Sequence, residues 1–314
     1  MRKTCLDMIY KLAKLDRRIF FIGSDLTYET LKQFKDDMPE RFLMEGVSEA
    51  NLIGMGCGLA LEGKIVYVNT IATFLTRRCF EQIVLDACLH NVNIRLIANG
   101  GGLVYAPLGP THLAFDDIAI LRAIPNMTII AVADANEMRR LMPLTVDYPG
   151  PIYIRLAKGY DPIVTKDDEP FEIGKIFVMR EGSDAVVITT GITLGIAQRA
   201  AGTLSNQGIE ITILHVPTIK PLDVATIMKY GEKTSCIVVI EEHSIIGGLG
   251  SAVAEVIAEA SFDAPKSFKR IGVPDVFPDI YGSQENQLKK YAITEENLVV
   301  SIKHAQKIRS KQVV

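Results

Sequence analysis

Glu49 stands in a largely apolar stretch, Met44-Glu-Gly-Val-Ser-Glu-Ala-Asn-Leu-Ile53. A carboxylate in such surroundings can exchange a proton with a bound heterocycle. It can equally be a first-turn glutamate favoured by the helix dipole. His112, in Gly109-Pro-Thr-His112, reads as a loop histidine with a titratable ring. Between them lies Thr73-Phe-Leu-Thr-Arg-Arg-Cys-Phe-Glu-Gln82, which carries two aromatic rings and two adjacent guanidinium groups. Rings offer flat apolar walls, and guanidinium forks suit carboxylate or phosphate.

Two glycine runs invite a phosphate-loop reading. In Gly54-Met-Gly-Cys-Gly58 the glycines fall inside an apparent helix, not between a strand and a first helical turn, so they point to close packing of a subunit or helix. Gly247-Gly-Leu-Gly250 follows a strand and reads as a tight turn into a helix, where exposed N–H groups would also suit an anion.

Continuous β-rich runs must position these groups. They occur at Arg18–Gly23, Ile65–Val68, Ile94–Ala98, Met127–Val132 and Ile152–Arg155, separated by segments of helical period. Such alternation predicts a parallel sheet covered on both faces. Breakers cluster from Gly159 to Pro170, and a second α/β unit follows with strands at Ala185–Thr189, Ile209–Leu214 and Cys236–Ile240. The expected organisation is an α/β chain of two open, mostly parallel-sheet domains, 1–160 and 176–314, joined by a linker at 161–175. In such sheets ligands bind beyond the carboxyl ends of the strands.

Composition narrows the class. Hydrophobic residues make up 48 % and charged residues 23 %, as in globular enzymes. A net charge of −3 without long blocks of one sign gives no footprint for nucleic acid or an anionic membrane. The five cysteines, odd in number and scattered, suggest neither a zinc site nor a disulfide framework. With an amphipathic first segment and no long apolar run, the expected location is the cytoplasm.

Taken together, Glu45-Gly-Val-Ser-Glu-Ala-Asn51, Ala72-Thr-Phe-Leu-Thr-Arg77, and Gly109-Pro-Thr-His followed by Phe115-Asp-Asp-Ile-Ala-Ile-Leu-Arg-Ala-Ile-Pro-Asn126 resemble the pyrimidine-binding domain of transketolases and 1-deoxyxylulose-5-phosphate synthases. Val238-Val-Ile-Glu-Glu-His-Ser-Ile-Ile-Gly-Gly-Leu-Gly250 resembles their C-terminal domain. The resemblance implies thiamine diphosphate as cofactor. It gives Glu49 the hydrogen bond to pyrimidine N1′, Phe74 and Phe80 the ring wall, and Asp25 and Arg77 places near the cofactor. It gives His112 a role on substrate oxygens, and Arg2, Arg155 and Lys158 places around a phosphosugar. Two departures bear on substrate: Leu108 precedes Gly109 where the family often has aspartate, and Gly100 replaces a phosphate-contacting histidine. Both open the way to an unusual or modified sugar.

The family's Gly-Asp-Gly motif, which with a following asparagine holds Mg²⁺ on the diphosphate, does not occur in the chain. The resemblance therefore implies a separate diphosphate-binding subunit, joined to a dimer of this chain in a heterotetramer. The expected reaction is transfer of a two-carbon ketol unit between ketose and aldose sugars or sugar phosphates. The alternatives are the beta subunit of a 2-oxoacid dehydrogenase decarboxylase and a non-catalytic subunit that kept the fold.

Overall fold

The structure is a computed structural model describing all residues except Thr27, Tyr28, Lys158, Tyr160, Val313 and Val314, with the side chains of 307–312 also outside the description. Six strands of the first unit are β1 (Ile19–Gly23), β2 (Phe42–Met44), β3 (Ile65–Ile71), β4 (Ile94–Asn99), β5 (Thr128–Ala131) and β6 (Ile152–Leu156). The second unit contributes β7 (Phe177–Arg180), β8 (Ala185–Thr189), β9 (Ile211–His215), β10 (Thr218–Lys220), β11 (Cys236–Ser244) and β12 (Ser267–Val273).

The first sheet runs β10-β5-β6-β4-β3-β1-β2 and the second β12-β11-β8-β9-β7. All pairings are parallel except β10 on β5 and β7 on β9. The alternation of side chains along a strand divides the core into layers. On β3, Val66 and Val68 pack into one apolar cluster with Leu52, Ile83 and Leu96, while Ile65 and Tyr67 pack into another with Ile9, Phe21 and Leu141. The second sheet divides likewise, Val187 and Val238 on one face and Val186 and Val239 on the other. Helices therefore cover both faces of both sheets, which is why these strands read as unbroken apolar runs.

The two units are locked together. Strand β10 crosses back to join the first sheet beside β5, and Lys220 Nζ donates to the carbonyl of Arg122 at 2.9 Å. His215, at the end of β9, meets Glu137 of the first unit at 3.0 Å, and the same carboxylate oxygen accepts from Ala133 N at 2.6 Å. The linker is strapped down as well, because Asp134 Oδ2 accepts from Val164 N at 2.7 Å and Thr165 N at 2.6 Å. Those bonds hold its carboxyl below the usual range against the opposing effect of burial. Among the described residues, no helix is long and apolar enough to cross a membrane.

Candidate active site

Strand β2 ends at Met44, and the chain turns through Gly46, at φ +70, into a helix whose first residue is Glu49. Only glycine takes that left-handed turn without strain. The turn sets Glu49 at the carboxyl edge of the sheet, 3 % exposed, at a helix N-terminus that favours its charge.

Beyond β3, residues Phe74–Arg78 form a π-helical turn, a wide turn frequent at functional sites. It brings Arg78 to Glu49, with Nη1 donating to Oε2 at 2.8 Å. The Arg78 guanidinium also lies over the Phe74 ring, 4.1 Å from its centroid. Phe74 in turn meets the edge of His112, centroids 5.0 Å apart, and Thr111 Oγ1 lies 2.9 Å from His112 Nδ1. Glu49, Arg78, Phe74 and His112 thus form one unbroken run of contacts. Beside it, burial pushes the Cys79 thiol up to about 12, with Glu49 adding to the effect, so this thiol is no nucleophile.

The remaining expected residues fall in different places. Asp25 is exposed just past β1, where its Oδ1 accepts from Ser24 Oγ at 3.1 Å. Phe80 is 39 % exposed rather than buried in the core. Arg2 is exposed and hydrogen-bonds Tyr105, whose phenol is raised by burial and lowered by that contact. Lys158 lies outside the described residues.

Two of the expected arginines are engaged within the chain. The Arg77 fork is bidentate to Asp116, at 3.0 and 2.8 Å, with the guanidinium 5.3 Å over Phe115. One step along a helical turn changes the face presented, so of the two adjacent arginines it is Arg78 that meets Glu49. Arg155 is held on several sides. It is 7 % exposed, bonded to Asp117 Oδ2 at 2.8 Å and to the carbonyls of Ala114 at 3.1 Å and Glu242 at 2.9 Å. A guanidinium so engaged is a clamp between the two units.

The clamp explains the glycines of Asn99-Gly-Gly-Gly102. A Cβ on Gly101 would fall 2.4 Å from Arg155 Cγ, and one on Gly102 2.6 Å from Glu242 Cδ. At Gly100 the space is filled by the Tyr105 ring, at 2.1 Å. Glu242 accepts from Leu103 N at 2.9 Å and Gln284 Nε2 at 2.7 Å, and burial raises its carboxyl to about 7. The turn Gly247–Gly250 does receive an anion, but the chain's own: Glu241 accepts from Leu249 N and Gly250 N, both at 2.8 Å.

The residues fit one end of thiamine diphosphate. A buried carboxylate beside an aromatic face suits an aminopyrimidine. Among the described residues no group of three or more His, Cys, Asp or Glu is arranged to hold a metal ion. A cavity of about 520 Å³ lies elsewhere, between the linker at Pro162 and Val164 and the helix beginning at Thr193.

Comparison with known proteins matches the two units to two domain families. The transketolase pyrimidine binding domain family matches residues 1–160, and the transketolase C-terminal domain family matches 174–298. A 6-deoxy-6-sulfo-D-fructose transketolase subunit from Clostridium sp. (strain MSTE9) is 34 % identical over 300 residues, 95 % of this chain and 92 % of that one. A subunit of an apulose-4-phosphate transketolase from Phocaeicola vulgatus is 34 % identical, covering 95 % of this chain and 94 % of that one. Among solved structures, a split gene transketolase described as an inactive beta4 tetramer superposes with a TM-score of 0.88 at 33 % identity, covering 97 % of both chains. With both domains matched in order and relatives aligned nearly end to end, the chain belongs to the transketolase family, of which it carries the pyrimidine-binding and C-terminal domains.

Proposed function

We propose that this chain is the C-terminal subunit of a two-subunit, thiamine-diphosphate-dependent transketolase. It moves a two-carbon ketol unit between ketose and aldose sugars or sugar phosphates. A second chain supplies the diphosphate and Mg²⁺ sites, and two copies of each assemble into a cytoplasmic heterotetramer. The observation that carries this reading is Glu49, buried at the sheet edge and continuous through Arg78 with the face of Phe74.

When bound, thiamine diphosphate supplies the carbon nucleophile and the electron sink. The chain's own residues bind and orient it. Glu49 holds a proton at pyrimidine N1′, Phe74 and Phe80 provide the flat wall, and Asp25 contributes beside the cofactor. His112, in contact with Phe74, stabilises negative charge on a substrate oxygen. Arg2, exposed beside Tyr105, and Lys158 furnish positive charge for a phosphosugar.

Substrate choice departs from the common pattern. The Tyr105 ring takes the space a side chain at Gly100 would need, and Leu108, 48 % exposed, offers no acceptor for a sugar hydroxyl. Both favour a modified sugar, in line with the sulfofructose and apulose phosphate named for two relatives.

The test uses the complex purified with its diphosphate-binding partner and offered ketose donors with aldose acceptors, and separately pyruvate with a lipoyl domain. Ketol transfer without pyruvate decarboxylation is the expected result. Decarboxylation without ketol transfer assigns the chain to the 2-oxoacid dehydrogenases, and neither activity assigns it a non-catalytic role.

A further inference from the structure

We propose that Arg78 is the positioning residue of the pyrimidine platform, fixing the Glu49 carboxylate and the Phe74 ring relative to one another through a single planar guanidinium. The inference rests on the cofactor reading given above and assigns a role to a residue that reading did not use.

Glu49 is 3 % exposed, and a polar group so removed from water needs a hydrogen-bond partner to be satisfied and held in place. Among the described residues, that partner is Arg78 Nη1, 2.8 Å from Oε2. Holding Oε2 fixes the carboxylate plane and leaves Oε1 for a ring nitrogen. The same guanidinium lies over the Phe74 ring, 4.1 Å from its centroid, so the group that holds the carboxylate also holds the ring. Both surfaces that receive one heterocycle are thereby braced by one side chain. The Arg78 side chain itself is 49 % exposed, so its own packing contributes little to the core. Lysine would keep the charge and lose the plane, which makes the two functions separable.

The experiment measures thiamine diphosphate affinity by calorimetry on the partner-bound complex for wild type, Arg78→Ala, Arg78→Lys, Glu49→Gln and the double variant Glu49→Gln/Arg78→Ala, with thermal unfolding of each alongside. A charge-assisted contact of this kind predicts affinity weakened roughly 10- to 100-fold in Arg78→Ala. Arg78→Lys should recover part of the loss, and in the Glu49→Gln background the same Arg78→Ala change should cost less than about threefold. Equal losses in both backgrounds overturn the proposal, because Arg78 would then act independently of Glu49. Unchanged or tighter binding in Arg78→Ala overturns it as well. Should Arg78→Ala fail to fold, Arg78→Gln in both Glu49 backgrounds makes the same comparison. If the wild-type complex binds no thiamine diphosphate, the cofactor reading fails instead.

Discussion

Two clusters of charge, one at the Glu49 platform and one at the joint between the sheets, use the same residue types for opposite ends. At the joint, Arg155, Asp117, Glu241, Glu242 and His243 are all 7 % exposed or less, and Arg155 is bonded to a carboxylate and two carbonyls. At the platform, Glu49 is buried but its partner Arg78 is half-exposed and Phe80 lies open. A closed set of partners holds a shape, whereas an open one keeps capacity for a ligand. Burial alone does not separate the two, because Glu49 and Glu242 are each 3 % exposed. What separates them is the exposure of the side chains they bond.

The comparison predicts that the platform governs activity and the joint governs stability. The largest effect is expected at Glu49→Gln, where loss of proton exchange should lower turnover of the assembled complex about 10²- to 10⁴-fold with the melting temperature nearly unchanged. Steady-state kinetics with thermal unfolding would check this, and a fall in both together would break the distinction.

Next is Arg155→Met, which strands the buried Asp117 carboxylate. It should cost about 3–5 kcal/mol of stability, read by denaturant unfolding. A pure loss of substrate affinity with intact stability would instead favour the phosphosugar place the family resemblance gives Arg155.

Third is a pH effect at the joint. Burial raises Glu242 from 4.5 to about 7, so the folded chain holds an extra proton across that interval, and stability falls as pH rises through it. Glu242→Gln keeps an acceptor and removes the ionisation. It should stabilise the chain at pH 8 by up to about 3 kcal/mol and change little at pH 4.5. Melting curves at the two pH values test the sign. The smallest effect is expected for Phe74→Leu, which loses the aromatic face and should weaken cofactor binding about tenfold or less, measured calorimetrically.

Elements with strong periodic signals were legible in the sequence, and those depending on distant partners were not. The continuous runs at Ile65, Ile94 and Cys236 read directly as buried parallel strands because both faces are covered. Strand β10 has three residues and pairs with the edge that β5 leaves, and β12, at an outer edge, alternates exposed and partly buried residues from Ser267 to Arg270 before its buried end. Neither makes a local pattern strong enough to stand out. Glu49 stands out in the sequence only through the family resemblance, since its apolar setting suits a first-turn glutamate equally well, and Arg78 does not stand out at all, because the π-helical turn decides which of two adjacent arginines faces the carboxylate. The run Gly100–Gly102 carries a signal of close approach, but its partners, Arg155 and Glu242, lie far along the chain.

The central claim, that the Glu49 carboxylate serves the aminopyrimidine of a cofactor held in part by another polypeptide, is tested most directly by an experimental structure of the assembled complex loaded with thiamine diphosphate and Mg²⁺. The account predicts a Glu49 oxygen within hydrogen-bond reach of N1′, about 2.6–3.2 Å, the ring against Phe74, and Mg²⁺ ligands drawn from the second chain. A cofactor ring bound away from Glu49, or a diphosphate and its metal held by this chain alone, would contradict it.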